Sequence, residues 1–371
     1  MGTGIEPYQV FACQHEILPA RVGGRFKENI KKNLEHYCDL IDYCHGTFFS
    51  VLGPVRLITF GEFSLTGIYW ACNRGEKTLN NAEVIQHLAI RIPGEETEVL
   101  AAKAKEHHCY IAAANLEYDP AWPDFHFNCG FLINPKGKII LKYRKVTTSN
   151  QPVEFGCSPH DILDVYKNPL TGVFDPFPVV DTEIGRLGMM ICGDLRAPEI
   201  PRIYSLKGVD LLIRSTSGYS DAMSGFFPEG LVEDTLRVRA YDNALYFVNC
   251  NRGPEVESIV PRGRCGGGTM IVDYLGNVLV RTKDANEVAV RAGVDIEACR
   301  RFRQTYFANP VTMVRSELFA PYYAKPIYPA NTFSTGGPIE DLLDERHLQI
   351  YAQAVANMQK GYDFYSEESV A

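Results

Sequence analysis

The chain has 371 residues, a net charge of −8 and 46% hydrophobic residues. This composition is typical of a globular protein with a sizeable core, and it excludes a disordered chain and a polybasic protein that binds nucleic acid or membrane surfaces. The eleven cysteines are odd in number and too sparse for a disulfide scaffold, so we interpret most of them as reduced thiols of a cytoplasmic protein. We expect no membrane association, because the N-terminus lacks a secretory pattern and no apolar run approaches ~18 residues.

The first half of the chain predicts helices and strands in alternation. Apolar residues at three- and four-residue spacing predict a helix over 27–44, and a second helix is expected near 96–107. Short apolar runs predict strands at 55–60 and 109–114, and a hairpin is expected over 128–144. These alternating elements are typical of a layered α/β protein.

The second half of the chain continues the alternation. In chain order, the predicted elements are a strand at 187–191, a helix near 197–207, strands at 209–213 and 245–248 around a helix near 229–242, a hairpin over 269–280 and a strand at 288–294. Strands, helices and hairpins together favour an α/β fold with mixed sheets. After residue 305 no clear period is present until an amphipathic stretch at 339–361. We therefore expect residues 306–371 to be an extension that lies on its own domain or on a neighbouring subunit.

The most informative segment surrounds Cys192, which follows the predicted strand 187–191. Gly193 permits an unusual backbone angle, and a helix is expected to begin at Ala197-Pro198. A cysteine on such a strand-to-helix turn is held rigidly, and nearby helix N–H groups favour a thiolate and stabilise an oxyanion. This pattern alone leaves two interpretations open, a buried structural cysteine and a nucleophile.

Two further residues lie where strands of the predicted sheets end. Glu62 ends the strand that begins at residue 55, and Lys145 follows the second strand of the hairpin. Active sites of layered α/β proteins gather at strand ends, where a carboxylate can act as general base and a lysine can hold a developing oxyanion. No His or Cys cluster has the spacing of a zinc site, so no metal site is expected.

Three motifs in this order resemble the nitrilase, or carbon–nitrogen hydrolase, superfamily, with its Glu–Lys–Cys triad. They are Phe60-Gly61-Glu62-Phe63, Tyr143-Arg144-Lys145 and Ile191-Cys192-Gly193-Asp194-Leu195-Arg196. The resemblance implies a four-layer αββα sandwich over residues 1–305, followed by the C-terminal extension 306–371, and it implies neither a metal nor an organic cofactor. Gly61 stands where proline is usual in the family, which we interpret as a minor loop variation.

The resemblance also implies roles for particular residues. Glu62 would deprotonate Cys192, and Cys192 would attack a carbonyl or nitrile carbon to form a thioester and release ammonia or an amine. Lys145 and the backbone N–H of Gly193 would hold the oxyanion. Glu154 matches a second glutamate that many amidase members carry after the lysine, and would position the amide or share acid–base work. The alternative for Glu154 is an exposed loop carboxylate.

Two other residues are candidates for substrate binding. Arg196 could hold a substrate carboxylate, or it could pair with a helix glutamate such as Glu199. Tyr219 could line the pocket, or it could be a core aromatic residue. Both alternatives stay open for both residues.

The residues that follow Cys192 indicate the type of substrate. In the family, a Trp-Glu pair after the cysteine is typical of nitrilases, whereas Gly193-Asp194 favours an amide. We predict a thiol amidohydrolase for a small linear amide or carbamoyl compound, with a nitrilase and a catalytically silent scaffold as alternatives. Because family members commonly assemble through outer helices, we also predict a homo-oligomer, and residues 306–371 could extend across its interface.

Overall fold

The structure is a computed structural model, and it describes nine ranges of the chain: 4–46, 51–67, 79–147, 156–218, 230–257, 267–305, 309–334, 336–339 and 344–368. Within these ranges, two six-stranded sheets face each other, and β1 and β2 of the first sheet pack against β8 and β9 of the second. The strands are β1 (Tyr8–Gln14), β2 (Val55–Glu62), β3 (Tyr110–Tyr118), β4 (His126–Ile133), β5 (Ile139–Arg144), β6 (Val179–Thr182), β7 (Gly185–Ile191), β8 (Leu211–Thr216), β9 (Tyr246–Asn251), β10 (Met270–Val272), β11 (Val278–Arg281) and β12 (Val288–Val294).

Both sheets are mixed. The first has the order β12-β1-β2-β3-β4-β5, and the second has the order β11-β10-β9-β8-β7-β6. Strands β1, β2 and β3 are parallel to one another in the first sheet, and β7, β8 and β9 are parallel to one another in the second. All other neighbouring strands are antiparallel. The candidate site lies at the C-terminal ends of the parallel strands β2, β7 and β8.

Helices cover the outer faces of the two sheets. Leu34 of α1 and Leu100 of α3 belong to an apolar core with one face of the first sheet, and Tyr204 of α4 and Leu236 of α5 pack with the second sheet. These layers make a four-layer αββα sandwich. The helices are α1 (Phe26–Cys44), α2 (Asn81–His87), α3 (Glu95–Glu106), α4 (Glu199–Leu206), α5 (Leu231–Asn243), α6 (Ile296–Arg303), α7 (Ser316–Tyr323) and α8 (Glu345–Glu368). Among the helices described, none is long and apolar enough to cross a membrane.

The elements predicted from the sequence are present, with shifts of a few residues at their ends. One shift matters for function, because α4 begins at Glu199 and a 3₁₀ turn, Cys192–Arg196, precedes it. The sequence did not predict β1, β6, α2, α6 or α7. Length does not explain all of these omissions, since β1 is as long as the predicted strand β7. α7 contains Pro321 and no buried residue, so it shows no apolar periodicity.

Part of the C-terminal extension lies on the chain's own domain. Phe333 packs in a small apolar cluster with Phe127 and Ile162, and its backbone N–H donates to the carbonyl of Asp161 at 3.0 Å. The side chain of Thr332 donates to the Asp161 carboxylate at 2.7 Å. These contacts attach the extension to the segment that begins at residue 156. The domain boundary at 305 and the place of the extension at a subunit interface stay predictions.

Gly61 lies within β2, where this strand approaches the second sheet most closely. A Cβ atom at Gly61 would lie 2.8 Å from the backbone nitrogen of Arg252 and 3.0 Å from the carbonyl oxygen of Thr216. Both neighbours are backbone atoms, which cannot move aside as the end of a side chain can. Our interpretation of Gly61 as a loop variation is therefore wrong: the residue is in a strand, and glycine permits the contact between the sheets.

We expect Gly61→Ala to lower the free energy of unfolding by about 2 kcal/mol, because the added methyl group overpacks this contact. Urea denaturation of the purified variant measures the change. Gly293→Ala in β12 is the matched control, since its Cβ would meet only the end of the Gln9 side chain, at 3.4 Å. Equal stability of the two variants would contradict the proposed role of Gly61.

Candidate active site

Glu62 is the last residue of β2, and its carboxylate is completely buried. Its Oε1 accepts hydrogen bonds from Lys145 Nζ at 3.0 Å and from Asn128 Nδ2 at 2.6 Å. Its Oε2 accepts from the backbone N–H and the hydroxyl of Ser217, both at 3.0 Å. Both oxygens are therefore held by donors from three other segments, and the carboxylate has a single defined orientation.

The charges of Glu62 and Lys145 stabilise each other. Burial is the largest influence on the pKa of Glu62 and raises it, but the Lys145 charge and the hydrogen bonds lower this pKa below its ordinary value overall. Burial lowers the pKa of Lys145, and the charges of Glu62, Cys192 and Asp194 raise it above its ordinary value overall. The two groups therefore form a buried ion pair at neutral pH, and Cys192 lies close enough to act on it electrostatically.

Cys192 begins the 3₁₀ turn at the end of β7 and is only partly buried. Its own φ is +44°, a left-handed conformation that is uncommon for a residue with a side chain. Gly193 permits an unusual backbone angle, but it does not adopt a positive φ, and the chain turns at the cysteine itself. Gly193 provides space instead: a Cβ there would meet only Thr147 Oγ1, at 3.7 Å.

Asp194 connects the Cys192 turn to the segment that carries Lys145. Its carboxylate accepts hydrogen bonds from Tyr143 OH at 2.7 Å, from Thr147 Oγ1 at 2.7 Å and N–H at 3.1 Å, and from Ile191 N–H at 2.9 Å. Burial raises its pKa above the ordinary value, against the opposing effects of Lys145 and these donors. We expected a helix to begin at Ala197-Pro198, and α4 begins at Glu199, so the 3₁₀ turn and this side-chain network lie between Cys192 and the helix.

The other residues predicted for the site have different positions. Arg196 is exposed, and its charge lowers the pKa of the nearby Arg214, which burial already lowers. Glu199, its predicted partner, accepts a hydrogen bond from Tyr323 OH at 2.9 Å. Glu154 and Tyr219 lie outside the described residues. The structure thus brings together Glu62, Lys145 and the Cys192 turn.

The sequence did not reveal the hydrogen-bonding roles of several polar residues that form the site, namely Asn128, Thr147, Asp194, Arg214 and Ser217. Ser217 directly follows β8, and Asn128 lies inside the buried strand β4. A polar residue at a strand end or in an apolar strand is the signal that could have identified them. Their partners lie far away in sequence, so the pairing itself could not be read from the chain.

The structure also separates Cys192 from the other thiols. All nine cysteines in the described ranges are free, and only Cys38 and Cys192 are not buried. Burial raises the pKa of Cys109, Cys250 and Cys299 to about 12, which makes these thiols inert at neutral pH. Cys192 is therefore the accessible thiol that lies beside buried charges.

One group of possible metal ligands lies away from this site. Carboxylate oxygens of Asp42 and Glu106 and a ring nitrogen of His107 lie within 4.8 Å of one another. Lys103 Nζ already contacts the two carboxylates, at 2.8 Å and 3.0 Å, so a lysine ammonium supplies the positive charge there. The described residues also enclose a cavity of about 780 Å³ beside the C-terminal extension, and none of Glu62, Lys145 and Cys192 lines it.

Comparisons with known proteins agree with this geometry. Residues 11–304 match the sequence model of the carbon–nitrogen hydrolase family. A formamidase of Helicobacter acinonychis is 31% identical over 253 residues, which cover 68% of this chain and 64% of that relative's length. An omega-amidase of Homo sapiens is 26% identical over 246 residues, which cover 66% of this chain and 82% of the relative. In fold, the chain is similar to an amidase of Nesterenkonia sp., with a TM-score of 0.56, 17% identity, and coverage of 86% of this chain and 99% of that one.

Proposed function

The chain belongs to the carbon–nitrogen hydrolase family, and we propose that it is a thiol amidohydrolase that cleaves the C–N bond of a small linear amide or carbamoyl compound. One observation carries the proposal: a completely buried Glu62–Lys145 ion pair lies beside the partly exposed thiol of Cys192. Burying two charges is costly, and perturbed, paired charges beside an accessible nucleophile are typical of a catalytic site.

In the proposed first half-reaction, Cys192 attacks the carbonyl carbon of the amide while Glu62 accepts the thiol proton. A C–S bond forms, and the carbonyl oxygen becomes an oxyanion that Lys145 and the backbone N–H of Gly193 stabilise. The oxyanion then reforms the carbonyl, the C–N bond breaks, and the amine leaves with the proton from Glu62. The product is a thioester on Cys192.

In the second half-reaction, Glu62 removes a proton from a water molecule, and the hydroxide adds to the thioester carbonyl. The C–S bond breaks, the Cys192 sulfur takes back the proton held by Glu62, and a carboxylic acid leaves, so that amide and water are converted to acid and ammonia or an amine. Glu62 suits both proton transfers because its carboxylate is ionised in the resting site and is fixed by its four hydrogen bonds. Because the pKa of Glu62 is lowered, the carboxylate binds a proton weakly and therefore holds it only briefly between the two transfers.

An amide is the substrate class that the relatives favour, since the two curated proteins described above are named as amidases. We further propose that Glu154 positions the amide and that Arg196 and Tyr219 contact the substrate. A homo-oligomeric assembly and a cytoplasmic location stay predictions.

A panel of short linear amides, carbamoyl compounds and nitriles tests the function, with released ammonia as the measurement. We expect ammonia from amides or carbamoyl compounds and a mass increase on Cys192 that corresponds to the acyl group. Ammonia from nitriles alone would identify a nitrilase instead. No turnover of any compound, together with an unreactive Cys192, would favour a catalytically silent scaffold.

A further inference from the structure

Arg214 is a buried cation directly behind the Cys192 turn. It lies on β8, only 6% of its surface is exposed, and its Nε donates to the backbone carbonyl of Cys192 at 2.9 Å. Its Nη1 donates to the side-chain oxygen of Asn249. Among the described residues, no carboxylate lies within ion-pair distance of this guanidinium. Such a charge is costly to bury, so its position calls for an explanation.

The hydrogen bonds of Arg214 continue to a second loop. Asn249 Nδ2 donates to the carbonyl of Gly268 at 3.0 Å, so Asn249 is itself fixed in orientation. A chain of hydrogen bonds thus runs from the Cys192 carbonyl through Arg214 and Asn249 to Gly268. Because a guanidinium is planar and forked, two fixed acceptors determine its position.

The backbone of Cys192 needs such a support. A left-handed conformation costs a residue with a side chain about 1–2 kcal/mol, and it persists only when the surroundings hold it. At Cys192 the φ is +44°. The carbonyl that Arg214 binds belongs to this residue, so the hydrogen bond directly restrains the turn that presents the thiol.

The charge of Arg214 also acts on the site. Burial lowers the pKa of Arg214 most strongly, Cys192, Glu62 and Asp194 raise it, and Arg196 lowers it. Lys145 is the second buried cation that Cys192 influences. Cys192 therefore interacts electrostatically with two buried cations, and among the described residues Lys145 forms an ion pair, with Glu62, whereas Arg214 forms none.

We propose that Arg214 is a positioning residue for Cys192, which holds the strained turn through the cysteine carbonyl and places an unpaired positive charge behind the thiolate. The inference rests on the proposed function only in treating Cys192 as the nucleophile. Thiolate attack on iodoacetamide, in which a C–S bond forms and iodide leaves, measures this reactivity without any amide substrate. If the chain did not hydrolyse amides, the alkylation rate of Cys192 would therefore still test the role of Arg214.

The experiment follows alkylation of the full chain by iodoacetamide between about pH 6 and 9, with peptide mass spectrometry of Cys192 and of Cys38. Cys38, the other partly exposed described thiol, is the internal reference. For Arg214→Met we expect alkylation of Cys192 to slow by about tenfold at neutral pH and the curve of rate against pH to move upward, because the variant loses the hydrogen bond to the turn and a positive charge near the sulfur. Arg214→Lys, which keeps the charge but not the forked pair of hydrogen bonds, should recover only part of the rate.

Arg303→Met is the matched control, because Arg303 also donates to a backbone carbonyl, that of Ala244 at 2.7 Å, but on α6. It should leave the alkylation of Cys192 unchanged. An unchanged rate and pH curve in Arg214→Met would overturn the proposal. So would an equal change at Cys38 and Cys192, since it would show that Arg214 only stabilises the fold.

Discussion

Cys192→Ala is expected to lower amide turnover by about 10⁴-fold or more, because the proposed covalent route cannot begin without the thiol. The fold should persist, since Cys192 is only partly buried and forms no disulfide. Ammonia release gives the rate, and urea denaturation gives the free energy of unfolding, which should change by less than about 1 kcal/mol.

Cys38→Ala is the matched control for this variant. Cys38 is a free, partly exposed thiol on α1, away from the site formed by β2, β5 and β7. Its replacement should leave turnover unchanged. If Cys192→Ala retained activity, or if both variants lost it equally, the assignment of Cys192 as nucleophile would be wrong.

Lys145→Met should lower both the free energy of unfolding and the rate of amide turnover. Removal of the lysine leaves the completely buried Glu62 carboxylate without its cation, which is expected to cost about 3 kcal/mol of unfolding free energy. Turnover should fall by about 10³-fold, because the side chain that we propose to hold the oxyanion is lost. Urea denaturation and ammonia release measure the two effects separately.

The pH dependence of stability should change sign in this variant. In the native chain the pKa of Glu62 is lowered on folding, so its contribution is present above the ordinary pKa and is lost as pH falls through the folded value. Without Lys145, burial is the largest influence and raises this pKa, so stability should instead fall as pH rises above the ordinary pKa of a glutamate. The double variant Glu62→Gln/Lys145→Met should recover stability without activity.

Lys142→Met provides a matched control for the loss of a buried lysine. Lys142 lies on β5 and pairs with the buried Glu117, which also contacts Arg144. Its replacement should lower stability while turnover per folded molecule stays normal. Equal losses of turnover in the two lysine variants would indicate that Lys145 acts only through the fold.

Much of the fold was predictable because local patterns reflect burial. The helical period of α1 and the apolar runs of β2 and β7 appear in the sequence because each element has one or two faces in a core. The weakly buried element α7 was missed for the same reason, whereas β1 is as long and as buried as β7 and was overlooked. α7 has no buried residue, and therefore no pattern distinguishes it from a loop.

The sequence by itself determined the identity and order of three chemical groups, Glu62, Lys145 and Cys192, because residue type and position after a strand are local properties. Only the tertiary structure decided how they are held. The left-handed angle lies at Cys192 rather than at Gly193, and Ser217 and Asn128 hold Glu62 although their positions are 155 and 66 residues away. Arg214 reaches the cysteine carbonyl from a different strand. Such pairings arise when two sheets pack face to face. The spacing of residues in the sequence does not determine which strand ends will then lie next to each other.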